Sequence, residues 1–144
     1  METLIQQLRV ILSTNFVLYF KAHAFHWNVE GPDFKQYHDL FGDIYEEVYG
    51  SVDLLAEHIR QIDAYTPTTL KQLSGLTVVT EDETVMPALQ MVKSLMDANS
   101  MVLASLMLSY RDADNASELG LANFLQDRIA AHQKHAWMLK ATLK

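Results

Sequence analysis

Apolar positions along this chain recur at three- and four-residue steps and almost nowhere alternate. Leu4, Leu8, Ile11 or Leu12, Phe16 and Tyr19 form one stripe, with Thr3 and Gln6 at capping-box spacing at its start. That period predicts a helix, ended by the Gly31-Pro32 dipeptide. A second stripe, Phe34, Tyr37, Phe41, Ile44, Val48, Val52, Leu55, Ile59 and Ile62, predicts another. It should stop before Pro67, because the residue preceding a proline is disfavoured in the α region. A third helix is predicted from near Thr84, with Pro87 in a first turn where no N–H partner is lost. It runs through Leu89, Val92, Met96, Leu103 and Leu106 to about Tyr110. The turn RDADNASE then leads to a fourth, with Asn115 as N-cap and Glu118 three residues on. Leu121, Phe124, Leu125, Ile129, Ala136 and Leu139 mark its buried stripe.

Four helices of roughly 25 residues, with short turns at two junctions and one longer link, predict an all-α four-helix bundle. Residues 66–83, TPTTLKQLSGLTVVTEDE, form the link between helices two and three. It is long enough to run back along the bundle, and TTLKQL within it can make one or two helical turns. Nothing in residues 1–144 suggests a second domain, an internal repeat or a low-complexity tract.

Composition narrows the partners. With 49% hydrophobic and 20% charged residues the chain reads as a soluble globular domain. No cysteine is present, which excludes disulfides, thiolate zinc and iron–sulfur ligation. Neither a secretory signal nor an apolar run long enough to cross a bilayer is evident, so a cytoplasmic location without membrane contact is expected. The net charge is −7, and the only basic cluster is Lys134, Lys140 and Lys144. That balance suits cation handling better than the counterion release on which nucleic-acid binding depends.

The candidate chemistry lies in two stretches. No glutamate has a histidine three residues later, so the intrasubunit di-iron centre built from two Glu-x-x-His pairs is unsupported. Asp53 and Glu57 are four apart and share a helix face, which by spacing alone reads more readily as a solvated acid pair than as ligands. His26 ends the first helix and His38 lies one turn into the second, so a reversing loop can bring the imidazoles together. As a pair they read equally well as structural residues or as ligands. His132 and His135 have no acid at ligand spacing, and a surface position is expected for them. Trp27 and Trp137 read as core or interface residues, and the seven methionines as core filling.

One distance governs how these pairs can combine. Asp53 is fifteen residues beyond His38 on one predicted helix, about 22 Å along its axis. One chain cannot close both pairs on one metal. Two chains can, if the His end of one subunit meets the carboxylate end of its symmetry mate, and a two-fold interface then makes two identical sites.

The string HWNVEGPDFKQYHDLF, followed by YEEVYGSVDLLAEHIRQID, resembles the signature of the Dps family, ferritin-like mini-ferritins named as DNA-binding proteins from starved cells. His26, Trp27, Gly31, Phe34, His38, Asp53 and Glu57 stand at the family's spacings, and KHAWMLKA at 134–141 resembles its closing helix. The resemblance implies a ferritin-like four-helix bundle with a short helix in the long connection, here TTLKQL. It further implies a homo-oligomer, a hollow dodecamer whose ferroxidase centres lie at two-fold interfaces. His26 and His38 of one subunit would there face Asp53 and Glu57 of another. Such proteins oxidise Fe(II) to Fe(III), preferably with hydrogen peroxide over O2, store the ferric mineral and so protect against oxidative damage. Trp27, next to a ligand, would intercept stray oxidising equivalents, while His23 is left outside the site.

Three positions depart from the family pattern. Gly42 stands where many members carry an acid for a second metal position, with Asp39 the nearest substitute. No Lys-rich terminal tail is present, which counts against DNA as a partner. Gln133 replaces the Asp that commonly precedes the Lys-His pair and lines an acidic pore. The alternative reading is a nucleoid-associated DNA-binding structural protein with little iron chemistry. Retention of DNA in a gel shift at physiological salt separates it from the first.

Overall fold

The computed structural model describes all 144 residues, and they fold into six helices with no strand. They are α1 (Glu2–Asn28), α2 (Phe34–Gly50), α3 (Val52–Gln61), α4 (Leu70–Leu76), α5 (Ala88–Asn115) and α6 (Leu119–Leu143). Helices α2 and α3 make up the second long rod, interrupted at one residue. Four rods therefore make the bundle, as the stripes predict, and α4 is the short helix of the link. No helix is long and apolar enough to cross a membrane.

The interruption has a visible cause. Ser51 follows Gly50, its N–H bonds to Val48 O at 3.1 Å, and its hydroxyl also donates to Val48 O at 2.7 Å. That tightens the turn and marks the Gly-Ser kink common in long helices. Asn15 Nδ2 of α1 donates to Ser51 Oγ at 2.9 Å in the buried core, which ties the kink to the neighbouring rod.

Two of the helix ends depart from expectation for the same reason. Asp63 and Ser117 take left-handed backbone, with φ of 60° at each. At Asp63 the bonds Asp63 N–H to Arg60 O and Ala64 N–H to Ile59 O form a Schellman motif. The second rod therefore stops at Gln61, several residues before Pro67. At Ser117 the same motif runs to Asp114 O and Ala113 O. Asn115 is consequently the last residue of α5, and Glu118 occupies the N-cap position of α6. Pro87 is the N-cap of α5, so this helix starts four residues later than Thr84. At the amino terminus the helix begins at Glu2, and Gln6 bonds to the Glu2 carboxylate, not to a Thr3 cap.

The link returns along α1. Arg9 Nε donates to Tyr65 O at 2.8 Å, Val78 N–H donates to Thr14 Oγ1 at 3.2 Å, and Lys21 pairs with Asp82. These three ties span twelve residues of α1, about 18 Å. Within the link, Thr69 Oγ1 accepts from Gln72 N–H at 3.1 Å and Gln72 Oε1 accepts from Thr68 N–H at 2.7 Å, capping α4. Because Lys21 also donates to Ser94 at 2.9 Å and Ser109 donates to Gln7 at 3.2 Å, α5 runs antiparallel to α1 and therefore parallel to α2. The core is one cluster of 27 apolar residues, broken on its α6 side by polar ones. Leu89, expected in the third stripe, is exposed, and Met91, Val92 and Leu95 fill that face instead.

Candidate metal centre

The turn between α1 and α2 brings the two predicted histidines together. Val29 leaves the helix with extended backbone, Gly31 takes φ 99° and Asp33 takes φ 63°, so the chain reverses within five residues. A Cβ-bearing residue is strained at φ 99°, and Gly31 is what makes the reversal cheap. His26 and His38 then stack, ring centroids 3.7 Å apart and planes 18° from parallel. Phe34 continues the stack beyond His38 at 5.1 Å. The Nδ1 of His26 lies 2.7 Å from His38 O, and the Nδ1 of His38 lies 2.7 Å from His26 O. A carbonyl can only accept, so each Nδ1 carries the proton, and in the neutral tautomer this selects the lone pair is on Nε2. This is the orientation that a carbonyl partner gives to metal-binding histidines.

Gly42 has a place in this geometry. A Cβ there would meet His26 Nδ1 at 3.1 Å and Cε1 at 3.2 Å, tighter than ordinary contact. The His26 ring thus occupies space that a side chain at 42 would take. Asp39, the possible substitute acid, is held by Lys35 at 2.9 Å on the exposed side of α2.

The carboxylate pair is on α3, just past the kink. Asp53 and Glu57 are both exposed on one face. The neighbouring Asp53 carboxylate raises the Glu57 pKa above the ordinary glutamate range. Within the chain the His pair and the acid pair stay apart, fifteen residues along the α2–α3 rod. No group of three or more His, Asp or Glu side chains in one chain is arranged to hold an ion.

Around the His pair lies an aromatic cluster. His23 stacks on Tyr45 at 3.8 Å and lies 4.1 Å from Trp27, and its Nδ1 is 3.0 Å from Tyr19 Oη. Burial first, then the charge of His26, lowers the His23 pKa. Trp27 and Trp137 are 57% and 67% exposed, so neither belongs to the core of a single chain. His58 packs on Phe124 at 4.7 Å.

The expectation that His132 and His135 sit on the surface is overturned: their relative exposures are 0% and 6%. They belong to a polar chain through the bundle that spacing arguments passed over. Arg128 grips Glu47 of α2 with both terminal nitrogens, at 2.5 and 2.9 Å. Its Nη2 also donates to His132 Nε2 at 2.9 Å. His132 Nδ1 donates to Asn99 Oδ1 at 2.8 Å, and Asn99 Nδ2 donates to His132 O at 2.9 Å. His135 Nε2 donates to Glu47 Oε1 at 2.8 Å. No buried side-chain nitrogen or oxygen is left without a partner. Leu121, Leu125, Arg128, His132, His135 and Leu139 follow strict four-three spacing and are all buried. That spacing was the available signal: the stripe runs through charged residues.

Comparison with known proteins bears on the whole chain. A family described as a ferritin-like domain matches residues 5–144. The "DNA protection during starvation protein" of Brevibacillus brevis is 34% identical over 149 aligned positions, covering 100% of this chain and 100% of that protein. A solved Dps protein from Bacillus brevis has a TM-score of 0.94 at 31% identity, covering 99% of this chain and 96% of that one. A DPS protein from Vibrio cholerae O1, described as a member of a broad superfamily of ferritin-like diiron-carboxylate proteins, has a TM-score of 0.94 at 25% identity, covering 99% and 90%.

Proposed function

The chain belongs to the Dps family of ferritin-like proteins, and from that premise we propose that it is a cytoplasmic mini-ferritin that oxidises and stores iron. Fe(II) is its substrate. His26 and His38 of one subunit and Asp53 and Glu57 of a two-fold mate form each ferroxidase centre, in a hollow dodecamer that holds the ferric product. The observation that carries this reading is the reciprocal lock of His26 and His38, which stacks the two imidazoles and leaves each Nε2 outside the lock. A second half-site of two paired carboxylates sits about 22 Å along the same rod, where only another chain can use it. A mixed imidazole and carboxylate set suits iron in both oxidation states: neutral nitrogen donors tolerate Fe(II), and carboxylates favour Fe(III) once formed.

Hydrogen peroxide is the oxidant the reading prefers over O2. Two Fe(II) supply two electrons, peroxide with two protons becomes two waters, and no hydroxyl radical is released. Gly42 leaves a second iron without the acid that many relatives use, so its hold on this chain is the weaker one. Trp27, exposed beside His23, is placed to take up oxidising equivalents that escape the centre.

The deciding experiment is anaerobic Fe(II) titration followed by peroxide, read as ferric absorbance, on wild type and on His38→Ala/Glu57→Ala. Loss of oxidation in the double variant supports the centre. Equal oxidation in both would sink the site assignment. Size exclusion of the native protein is the companion measurement, because a monomer cannot assemble the centre.

A further inference from the structure

Where the chain leaves α3 and turns back along α1, it encloses a cleft that the proposed centre does not use. The cleft is lined by Arg9 of α1, by Tyr65, Thr66 and Pro67 beyond α3, and by Gln72 and Gly75 of α4. Its volume is about 490 Å³. Small-molecule sites commonly span about 300–1,000 Å³.

Two guanidiniums are fixed at this end of the molecule. Arg9 Nε donates to Tyr65 O at 2.8 Å, and Arg60 Nη1 donates to Ala64 O at 2.7 Å. Consecutive carbonyls of the backbone therefore hold both side chains. Neither arginine takes part in the chain's ion pairs, which are Lys21–Asp82, Lys35–Asp39, Arg128–Glu47 and His135–Glu47. Acids outnumber basic residues eighteen to eleven, so this lack of a carboxylate partner does not come from a shortage of acids. Arg9 lines the cleft with its Nη donors unspent, and a guanidinium fork matches a phosphate or carboxylate bidentately.

Tyr65 adds an aromatic surface beside that fork. The Arg60 guanidinium lies over its ring, with Cζ 4.5 Å from the centroid. The residue is nevertheless 73% exposed, so the opposite face of the ring is open. An exposed aromatic face accepts a nucleobase whatever its sequence identity, because every base has a π-face to stack. Gly75 keeps the space clear: a Cβ built there would meet nothing within 4 Å.

We propose that this cleft binds a small planar anion of the nucleoside monophosphate class, with the phosphate on the Arg9 fork and the base on Tyr65. Duplex nucleic acid is a poor occupant, because the net charge of −7 repels a polyanion and one fork replaces few of its counterions. The proposal rests on the cleft alone and is independent of the iron reading.

The test is calorimetric titration of the native oligomer with adenosine monophosphate, and with inorganic phosphate and adenosine as its two halves. The monophosphate should bind saturably at one site per chain and at least about tenfold more tightly than either half. Arg9→Gln should weaken it at least about tenfold. Gly75→Leu changes no charge and grows into open space, so it should block binding while helicity and thermal midpoint stay near wild type. Lys144→Gln, which removes a charge outside the cleft, should bind as wild type does. Absence of binding to wild type overturns the proposal, as does monophosphate binding no tighter than phosphate alone. Wild-type affinity in a folded Gly75→Leu or Arg9→Gln variant overturns it as well. Should Arg9→Gln fail to fold, because it also loses the tie to Tyr65 O, Gly75→Leu decides.

Discussion

His26 and His38 hold each other by the backbone: each ring donates its Nδ1 proton to the other's carbonyl oxygen at 2.7 Å. The lock has two separable parts, a donor that closes the turn and an Nε2 lone pair that faces away from it. Asparagine carries an amide N–H near the position of Nδ1 and nothing at Nε2. His38→Asn should therefore keep the thermal midpoint close to wild type while peroxide-driven Fe(II) oxidation falls at least about tenfold. His38→Ala should lose both. Comparing melting curves with initial rates of ferric absorbance checks the separation. A His38→Asn protein as active as wild type would place the ligand elsewhere.

Gly42 gives a subtler handle on the same ring. A Cβ at this position approaches two atoms of His26 within 3.2 Å, so the imidazole must shift by a few tenths of an ångström. Catalytic geometry suffers from displacements of that size before stability does. Gly42→Ala should lower the oxidation rate by a few-fold with little change in thermal midpoint. Unchanged rates in a folded variant would show that the ring has room to spare.

Acid should weaken the fold through His132 first. Its pKa is pushed down to about 3 in the folded chain and returns to about 6.5 on unfolding. Between those values the unfolded state binds a proton that the native state does not. Stability is therefore complete above about pH 6.5 and falls progressively toward pH 3. Glu47, held below its ordinary range by His135 and Arg128, adds a further loss below about pH 4.5. The thermal midpoint should drop as pH falls from 7 to 5, and His132→Gln should make that drop shallower. Equal slopes for the two proteins would mean that His132 is not held neutral.

How much of this was legible follows from what each feature is made of. The long helices were legible because a 3.6-residue period repeated over many turns is hard to mistake. Their ends were not, because Asp63 and Ser117 adopt left-handed backbone that glycine would have announced and these residues do not. His26 and His38 were legible as a pair because one Gly-Pro turn separates them. The interior chain was missed for a definite reason. Taking Ile129 and Ala136 as the fourth stripe moves it one residue from Arg128 and His135, favouring apolar identity over spacing. A bundle that buries a fully paired polar chain violates the first rule and keeps the second.

The kink at Ser51 should matter to the carboxylates, which begin two residues beyond it. Asn15→Ala removes the buried bond to Ser51 Oγ and leaves that hydroxyl with only its own donation to Val48. The cost should be about 1–3 kcal/mol in denaturant unfolding. If the kink also aims Asp53 and Glu57, oxidation rate should fall more than the lost stability explains at temperatures where the variant is fully folded. A rate equal to wild type under those conditions would limit Asn15 to a packing role.

Sharing of the centre between chains makes a prediction that no single-chain site can imitate. Take one variant lacking both histidines, His26→Ala/His38→Ala, and another lacking both acids, Asp53→Ala/Glu57→Ala. Each alone is expected to be inactive. In a mixed two-fold pair, one interface site combines the two defects and stays dead. The other combines the intact histidines of the second variant with the intact acids of the first, and is wild type. Random pairing after dissociation and reassembly should therefore restore about a quarter of wild-type oxidation, since half the pairs are mixed and each has one live site of two. Separately assembled variants mixed without dissociation should restore nothing. If co-assembly also restores nothing while size exclusion and mass spectrometry show mixed oligomers, the histidines and carboxylates do not meet across that interface.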